Sequence, residues 1–231
     1  MTLRCLHDAL EPGRRADALM VLLPGALQRP EDLIEHGHAR AVRERGLAFD
    51  IVLADPGLAH IGEAANTQAV DRLDEELLRP ASRQYREVWI AGISLGGFLA
   101  LAHAARYPGV TTGLCLLAPY PGTRMVTGTI ARAGGLDAWM TTGEAPRGYG
   151  GEDDDECRIW RWLAGHRGQA RPEMHLGYGV SDRFADGQRL MASALPEERV
   201  EAIAGDHDWP TWERLWRSFL DRRFARAANI P

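Results

Sequence analysis

Short, unbroken apolar runs alternate with amphipathic stretches along most of this 231-residue chain, and that rhythm restricts the fold more than any other feature. Ala18–Leu23 (ALMVLL), Phe49–Ala54 (FDIVLA), Glu87–Gly92 (EVWIAG) and Thr112–Ala118 (TGLCLLA) are apolar without alternation. Runs of that kind read as strands covered on both faces. Between them, Glu31–Arg45, Glu63–Leu78 and Leu95–Tyr107 carry apolar residues at helical spacing, and Pro24-Gly25, Asp55-Pro56-Gly57 and Pro108-Gly109 punctuate the joins. The rhythm resumes later, with strands over Glu173–Val180 and Arg199–Ala204 and helices over Asp186–Ala194 and Thr211–Arg226. Strand, helix, strand, helix predicts βα units around a mostly parallel sheet, an α/β fold in one domain over 1–231.

The alternation breaks between Tyr120 and Arg171. This stretch holds Gly134-Gly135, Gly150-Gly151, an acidic run Glu152–Glu156, and Trp139, Trp160 and Trp162. It is too long for a bare loop in a compact domain. The expectation is an insertion over the sheet, helical near Ile130–Met140 and Asp155–Ala164. The acidic run reads as a solvated helix start, and no metal site is expected.

Composition removes whole classes of chemistry. All 27 basic residues are Arg. A chain without Lys has no pyridoxal Schiff base, no lysine aldolase chemistry and no P-loop or kinase lysine. Its net charge of -5 argues against a nucleic-acid partner. No apolar run approaches the roughly 20 residues of a membrane span, and the N-terminal segment lacks the apolar stretch of a signal peptide. A cytoplasmic protein is expected, and the all-Arg usage suggests a bacterial one. Cys5, Cys115 and Cys157 are widely spaced and contain no CxxC, so reduced thiols are expected.

The sharpest motif is Gly92-Ile93-Ser94-Leu95-Gly96-Gly97, which follows a strand and opens a helix. A serine at the tip of such a turn stands above the sheet, and glycines on either side remove the Cβ atoms that would clash as strand meets helix. The Leu95 amide at the helix start points toward an oxyanion beside Ser94. Two later strands also end in reactive residues. EMHLGYGV runs into Ser181-Asp182-Arg183, and RVEAIA runs into Gly205-Asp206-His207-Asp208. Ser94, Asp182 and His207 therefore share the C-terminal edge of a parallel sheet, where open α/β sheets bind ligands.

With VWIAGISLGGFLALAHAARYPG, GYGVSDRF and AGDHDWPTWERLWRSFL, the chain resembles the α/β-hydrolase family over about Ala18 to Phe224. The last window is similar to esterase-type members such as the S-formylglutathione hydrolases. The resemblance implies an α/β-hydrolase fold with a lid-like insertion, 120–171, after the strand that follows the nucleophile helix. It also implies the chain order serine, acid, histidine. That order makes Ser94 the nucleophile and His207 the base, as the one His after Asp182, with Asp182 orienting it and Asp186 as the fallback acid. His103, on the helix after the elbow, reads as a packing or surface residue, and His175 as a buried strand residue. The second oxyanion amide is expected in Pro24-Gly25-Ala26-Leu27, at Ala26, with Leu27 as fallback. Many family members carry His-Gly where this chain has Pro24-Gly25. Serine rather than Asp or Cys at the elbow excludes dehalogenase, epoxide hydrolase and dienelactone hydrolase chemistry.

The expected function is a cofactor-free serine hydrolase acting on a small-molecule ester or thioester. The alternatives are an acyltransferase, peptidase or lyase using the same triad, or a non-catalytic binding protein on that scaffold. Leu27, Met125, Trp139 and Trp160, with Met140, Tyr149 and Trp162, are candidates for the substrate pocket. Trp209, Trp212 and Trp216 are candidates for inward packing or for a self-association face, which leaves a homo-oligomer open.

Overall fold

The computed structural model describes residues 3–57, 67–142, 145–146, 148, 154–167 and 169–224. Seven strands among them form one sheet: β1 (Arg4–Asp8), β2 (Ala18–Leu23), β3 (Phe49–Asp55), β4 (Glu87–Ile93), β5 (Gly113–Leu117), β6 (Glu173–Gly179) and β7 (Val200–Ile203). Their spatial order is β1-β3-β2-β4-β5-β6-β7. β1 runs antiparallel to β3, and every other pairing is parallel.

The apolar runs are split by the pleat between two cores. Leu19, Val21 and Leu23 of β2, with Ile90 of β4 and Leu114 and Leu116 of β5, face one cluster. Met20 and Leu22, with Trp89, Ala91, Ile93, Cys115 and Leu117, face the other. Successive side chains of a strand point to opposite faces, so a strand covered on both sides must be apolar throughout.

Helices supply the two covers. α1 (Pro30–Glu35) and α2 (His38–Glu44) follow β2, and α3 (Thr67–Leu73), a π-helical segment (Asp74–Leu78) and α4 (Arg79–Ser82) follow β3. α5 (Leu95–Arg106) follows β4. α6 (Arg124–Arg132), α7 (Leu136–Thr142) and α8 (Asp155–His166) lie between β5 and β6. α9 (Ala185–Ala192) precedes β7, and α10 (Trp209–Arg223) closes the fold. Two helices expected to be continuous are broken by glycine. Gly37, at φ 72°, separates α1 from α2, and Gly134 and Gly135, at φ 98° and 110°, separate α6 from α7. The start of the helix expected at Glu63, and Tyr149, lie outside the described residues. No helix among the described residues is long and apolar enough to cross a membrane.

Within the 120–171 segment, Val126, Ile130, Leu136, Trp139, Ile159, Trp160 and Leu163 are buried in the same cluster as Phe98, Leu99 and Ala102 of α5. The segment therefore packs its apolar faces onto the domain. Trp160 is fully buried, and its indole N–H donates to the Pro121 carbonyl at 3.1 Å, fixing the chain just after β5. The expectation that Trp139 and Trp160 line a substrate pocket is corrected here: a large apolar surface at helical spacing gains more from the core than from solvent. Trp212 and Trp216 of α10 likewise turn inward, with Trp216 donating to the His38 carbonyl at 2.9 Å. Replacing Trp160 by Ala is expected to lower stability by about 3–5 kcal/mol, from the cavity together with the lost hydrogen bond, as read from urea denaturation.

Candidate active site

β4 ends at Ile93 and α5 begins at Leu95, which leaves Ser94 alone to make the turn. Its backbone sits at φ 50° and ψ -111°, a conformation that costs a non-glycine residue roughly 1–3 kcal/mol. Two glycines allow the chain to fold that tightly. A Cβ at position 92 would stand 2.4 Å from the Gly96 carbonyl, and one at position 96 would stand 2.5 Å from the Leu23 oxygen and 2.6 Å from the Pro24 oxygen. Backbone hydrogen bonds then hold the turn. Ser94 N–H donates to Leu117 O at 3.0 Å, and Ser94 O accepts from Phe98 at 3.1 Å and from Tyr120 at 2.9 Å.

Asp182 follows β6 and His207 follows β7, and the strand order sets both loops on the same edge as Ser94. His207 Nε2 lies 2.9 Å from Ser94 Oγ, and His207 Nδ1 lies 2.7 Å from Asp182 Oδ2. An ionised carboxylate only accepts, so Nδ1 carries the proton and Nε2 is left to accept the serine hydroxyl. Ser94 and Asp182 are buried, with His207 partly buried. The His207 ring is gripped edge-on by Phe184 and by Trp212, each at 5.1 Å between centroids.

Burial pushes the Asp182 carboxyl up. Hydrogen bonds from His207 and the Phe184 amide, the His207 charge and the Gln188 amide outweigh it and hold the group below its ordinary value. Gln188 is the residue that sequence reasoning missed. It is fully buried on α9 and donates through Nε2 to Asp182 Oδ2 and to the Pro119 carbonyl, both at 3.2 Å. Its only sequence signal is a polar residue on the inward face of a short helix, six positions after the acid.

The other acids and histidines have different partners. Asp208 caps α10 by accepting from Thr211 N–H at 3.0 Å, and Asp186 is fully exposed and paired with Arg189. His103 is fully buried against Asp74 at 3.0 Å, about 13 Å along α5 from Ser94 at 1.5 Å per residue. It is a packing residue, as expected. His175 is half-buried, more exposed than its place in a strand implies, and bonds Glu173 at 2.7 Å.

The loop after β2 crosses over the serine. A Cβ at Gly25 would lie 3.4 Å from Ser94 Cβ, and the Gly25 N–H is already engaged by Gln28 Oε1 at 2.7 Å. The next amide is Ala26, and Leu95 contributes a first-turn N–H with no acceptor within its own helix. Leu27 takes φ 63° and leaves its side chain 77% exposed. A groove of about 600 Å³ opens beside the serine, lined by Tyr120, Phe184, Thr123, Thr127, Leu190 and their neighbours. Met125, expected to line a pocket, points to solvent from α6 and is not part of that wall. Among the described residues no cluster of His, Cys, Asp and Glu could hold a metal ion.

No family model matches the chain, and no curated protein matches it in sequence. Solved structures do. A ferulic acid esterase superposes with TM-score 0.63 at 14% identity, covering 95% of this chain and 96% of that one. A fluorophosphonate-binding serine hydrolase of Staphylococcus aureus gives 0.62 at 15% identity, over 92% and 85%. An S-formylglutathione hydrolase of Agrobacterium tumefaciens gives 0.57 at 17%, over 90% and 83%. The chain has the α/β-hydrolase fold.

Two outcomes test this geometry. Gly96→Ala drives a Cβ into backbone that no side-chain rotation can clear. It is expected to lower the melting temperature and to cut reaction of Ser94 with a serine-directed probe by at least tenfold, read by intact mass. The second concerns pH. Because the Asp182 carboxyl is depressed when folded, its ionised form contributes stability that is complete above the unfolded value of about 3.9 and is lost as pH falls through the lower folded value. The stability gap between wild type and Asp182→Asn should therefore narrow below about pH 4. A gap that stays constant from neutral pH into acid would rule out the carboxylate environment described.

Proposed function

We propose that this protein is a serine hydrolase that cleaves a carboxylic ester or thioester of a small molecule. The observation that carries the reading is the hydrogen-bonded line Ser94 Oγ, His207 Nε2, His207 Nδ1, Asp182 Oδ2, with links of 2.9 and 2.7 Å. A serine hydroxyl is a poor nucleophile until a base takes its proton and a third group orients the base. Here all three are in contact before any substrate arrives. The fold shared with proteins named as esterases and a serine hydrolase adds support.

Ser94 Oγ attacks the substrate carbonyl as His207 Nε2 takes its proton. The carbonyl π electrons move onto oxygen, and the N–H groups of Leu95 and Ala26 receive that oxyanion, a contribution of about 3–4 kcal/mol per donor. As the carbonyl re-forms, the bond to the alcohol or thiol breaks, and His207 returns the proton to the leaving group. Water then attacks the acyl-Ser94 ester with His207 again as base. The acid departs and the Ser94 hydroxyl is restored. Asp182 keeps its charge throughout, holding the imidazole tautomer and stabilising the imidazolium. Gln188 and the Phe184 amide keep the carboxylate turned toward His207.

Intact mass spectrometry with a fluorophosphonate should show one adduct on wild type and none on Ser94→Ala. On short p-nitrophenyl esters Ser94→Ala should lower kcat by about 10⁴-fold or more. An unlabelled, folded wild type that hydrolyses no ester or thioester would favour a binding protein on this scaffold instead.

A further inference from the structure

We propose that the groove beside Ser94 selects an ester or thioester that carries an anionic oxygen group, held by Arg124 and Arg183. The inference rests on the hydrolase reading and adds the substrate class to it.

The groove adjoins the serine and the histidine through two of its wall residues. The Tyr120 N–H donates to the Ser94 carbonyl at 2.9 Å, and Phe184 stands edge-on to both His207 and Tyr120, at 5.1 and 5.3 Å. Tyr120, Phe184, Arg124 and Arg183 all line the groove. Its volume of about 600 Å³ suits a small molecule.

Both guanidinium groups are exposed, and neither has an ion-pair partner among the described residues. The carboxylate that also lines the groove, Asp186, is paired with Arg189 one turn along α9. Glu156, packed behind the wall, has its Oε2 engaged by the Thr123 N–H at 2.8 Å and the Thr123 hydroxyl at 2.9 Å, so its charge is directed at Thr123. Arg183 lies over the Phe184 ring at 4.9 Å, which steadies the guanidinium plane and leaves its N–H edge free for an acceptor. Arg124 opens α6 with no acidic residue in the first turn, although a helix start disfavours a cation. In a chain of net charge -5, two arginines line this one groove beside a single carboxylate. A neutral substrate leaves both guanidiniums to water. A carboxylate or phosphate on the substrate takes charge-assisted, bidentate hydrogen bonds from them.

The test uses aryl esters of matched length that end in a neutral amide, a carboxylate or a phosphate. In wild type, kcat/KM for an anionic ester should exceed that for the neutral one by about tenfold, in line with charge-assisted bonds at a partly exposed site. The ratio should fall toward one in the Arg124→Gln, Arg183→Gln double variant, and also in wild type at about 0.5 M salt, where screening shortens the reach of the charges. A preference for only one of the two anions identifies the group. Equal kcat/KM across the series in wild type, or a preference that survives both substitutions, overturns the proposal while leaving the hydrolase reading intact. Absence of both ester turnover and fluorophosphonate labelling overturns both.

Discussion

The close approach of the β4–α5 turn to the end of β2 is the constraint on which the site depends. Gly96 lies so near the Leu23 and Pro24 carbonyls that a single Cβ would separate them. That contact presses the strained Ser94 backbone against the loop carrying Ala26, so the proposed nucleophile and the proposed oxyanion donor are set by one packing event. The strain is held by neighbours in the centre of the sheet. Ser94 N–H is taken by β5, and Ser94 O accepts from both α5 and Tyr120. The chain that bonds the serine carbonyl is therefore also the chain that begins the groove wall.

Asp182 and His207 arrive by a different logic. Neither residue has a positive φ; each is delivered by parallel register. β5 pairs with β6 and β6 with β7, so the loops after β6 and β7 emerge side by side at the edge where the elbow stands. Asp182 is then desolvated, which would neutralise an isolated carboxyl. It stays ionised because His207, the Phe184 amide and Gln188 all donate to it. A buried charge with both oxygens engaged keeps one orientation, which a base of fixed tautomer requires.

Much of this was legible before any coordinates. Short uninterrupted apolar runs bounded by Gly and Pro point to buried parallel strands because they are too short for buried helices, and a glycine-flanked serine between strand and helix shows the elbow because sterics leave few alternatives. Ser94, Asp182 and His207 were placed by strand ends and chain order. Gln188 was not, because a polar residue on a short helix reads as solvent-facing until its burial against Asp182 and Pro119 is known. Trp139 and Trp160 read differently for a related reason. A bulky residue in such a segment is equally suited to a pocket or a core, and only the three-dimensional neighbour decides. The breaks at Gly37 and at Gly134-Gly135 were visible as glycines, but positive φ there follows from how the flanking helices must turn to reach the sheet.

The 120–171 segment resolves into two jobs along one chain. Its tryptophans and aliphatic residues go to the cluster over α5, where they gain the most from leaving water. What remains for the groove is the edge: the backbone and small side chains of Tyr120–Gly128, together with Arg124. Glu156 joins the two jobs, being buried with α8 while its carboxylate fixes Thr123 on the wall. The segment's large residues therefore hold the wall, and its small and charged residues form the face of that wall. An exposed arginine there can be exchanged without disturbing the buried surface that supports it.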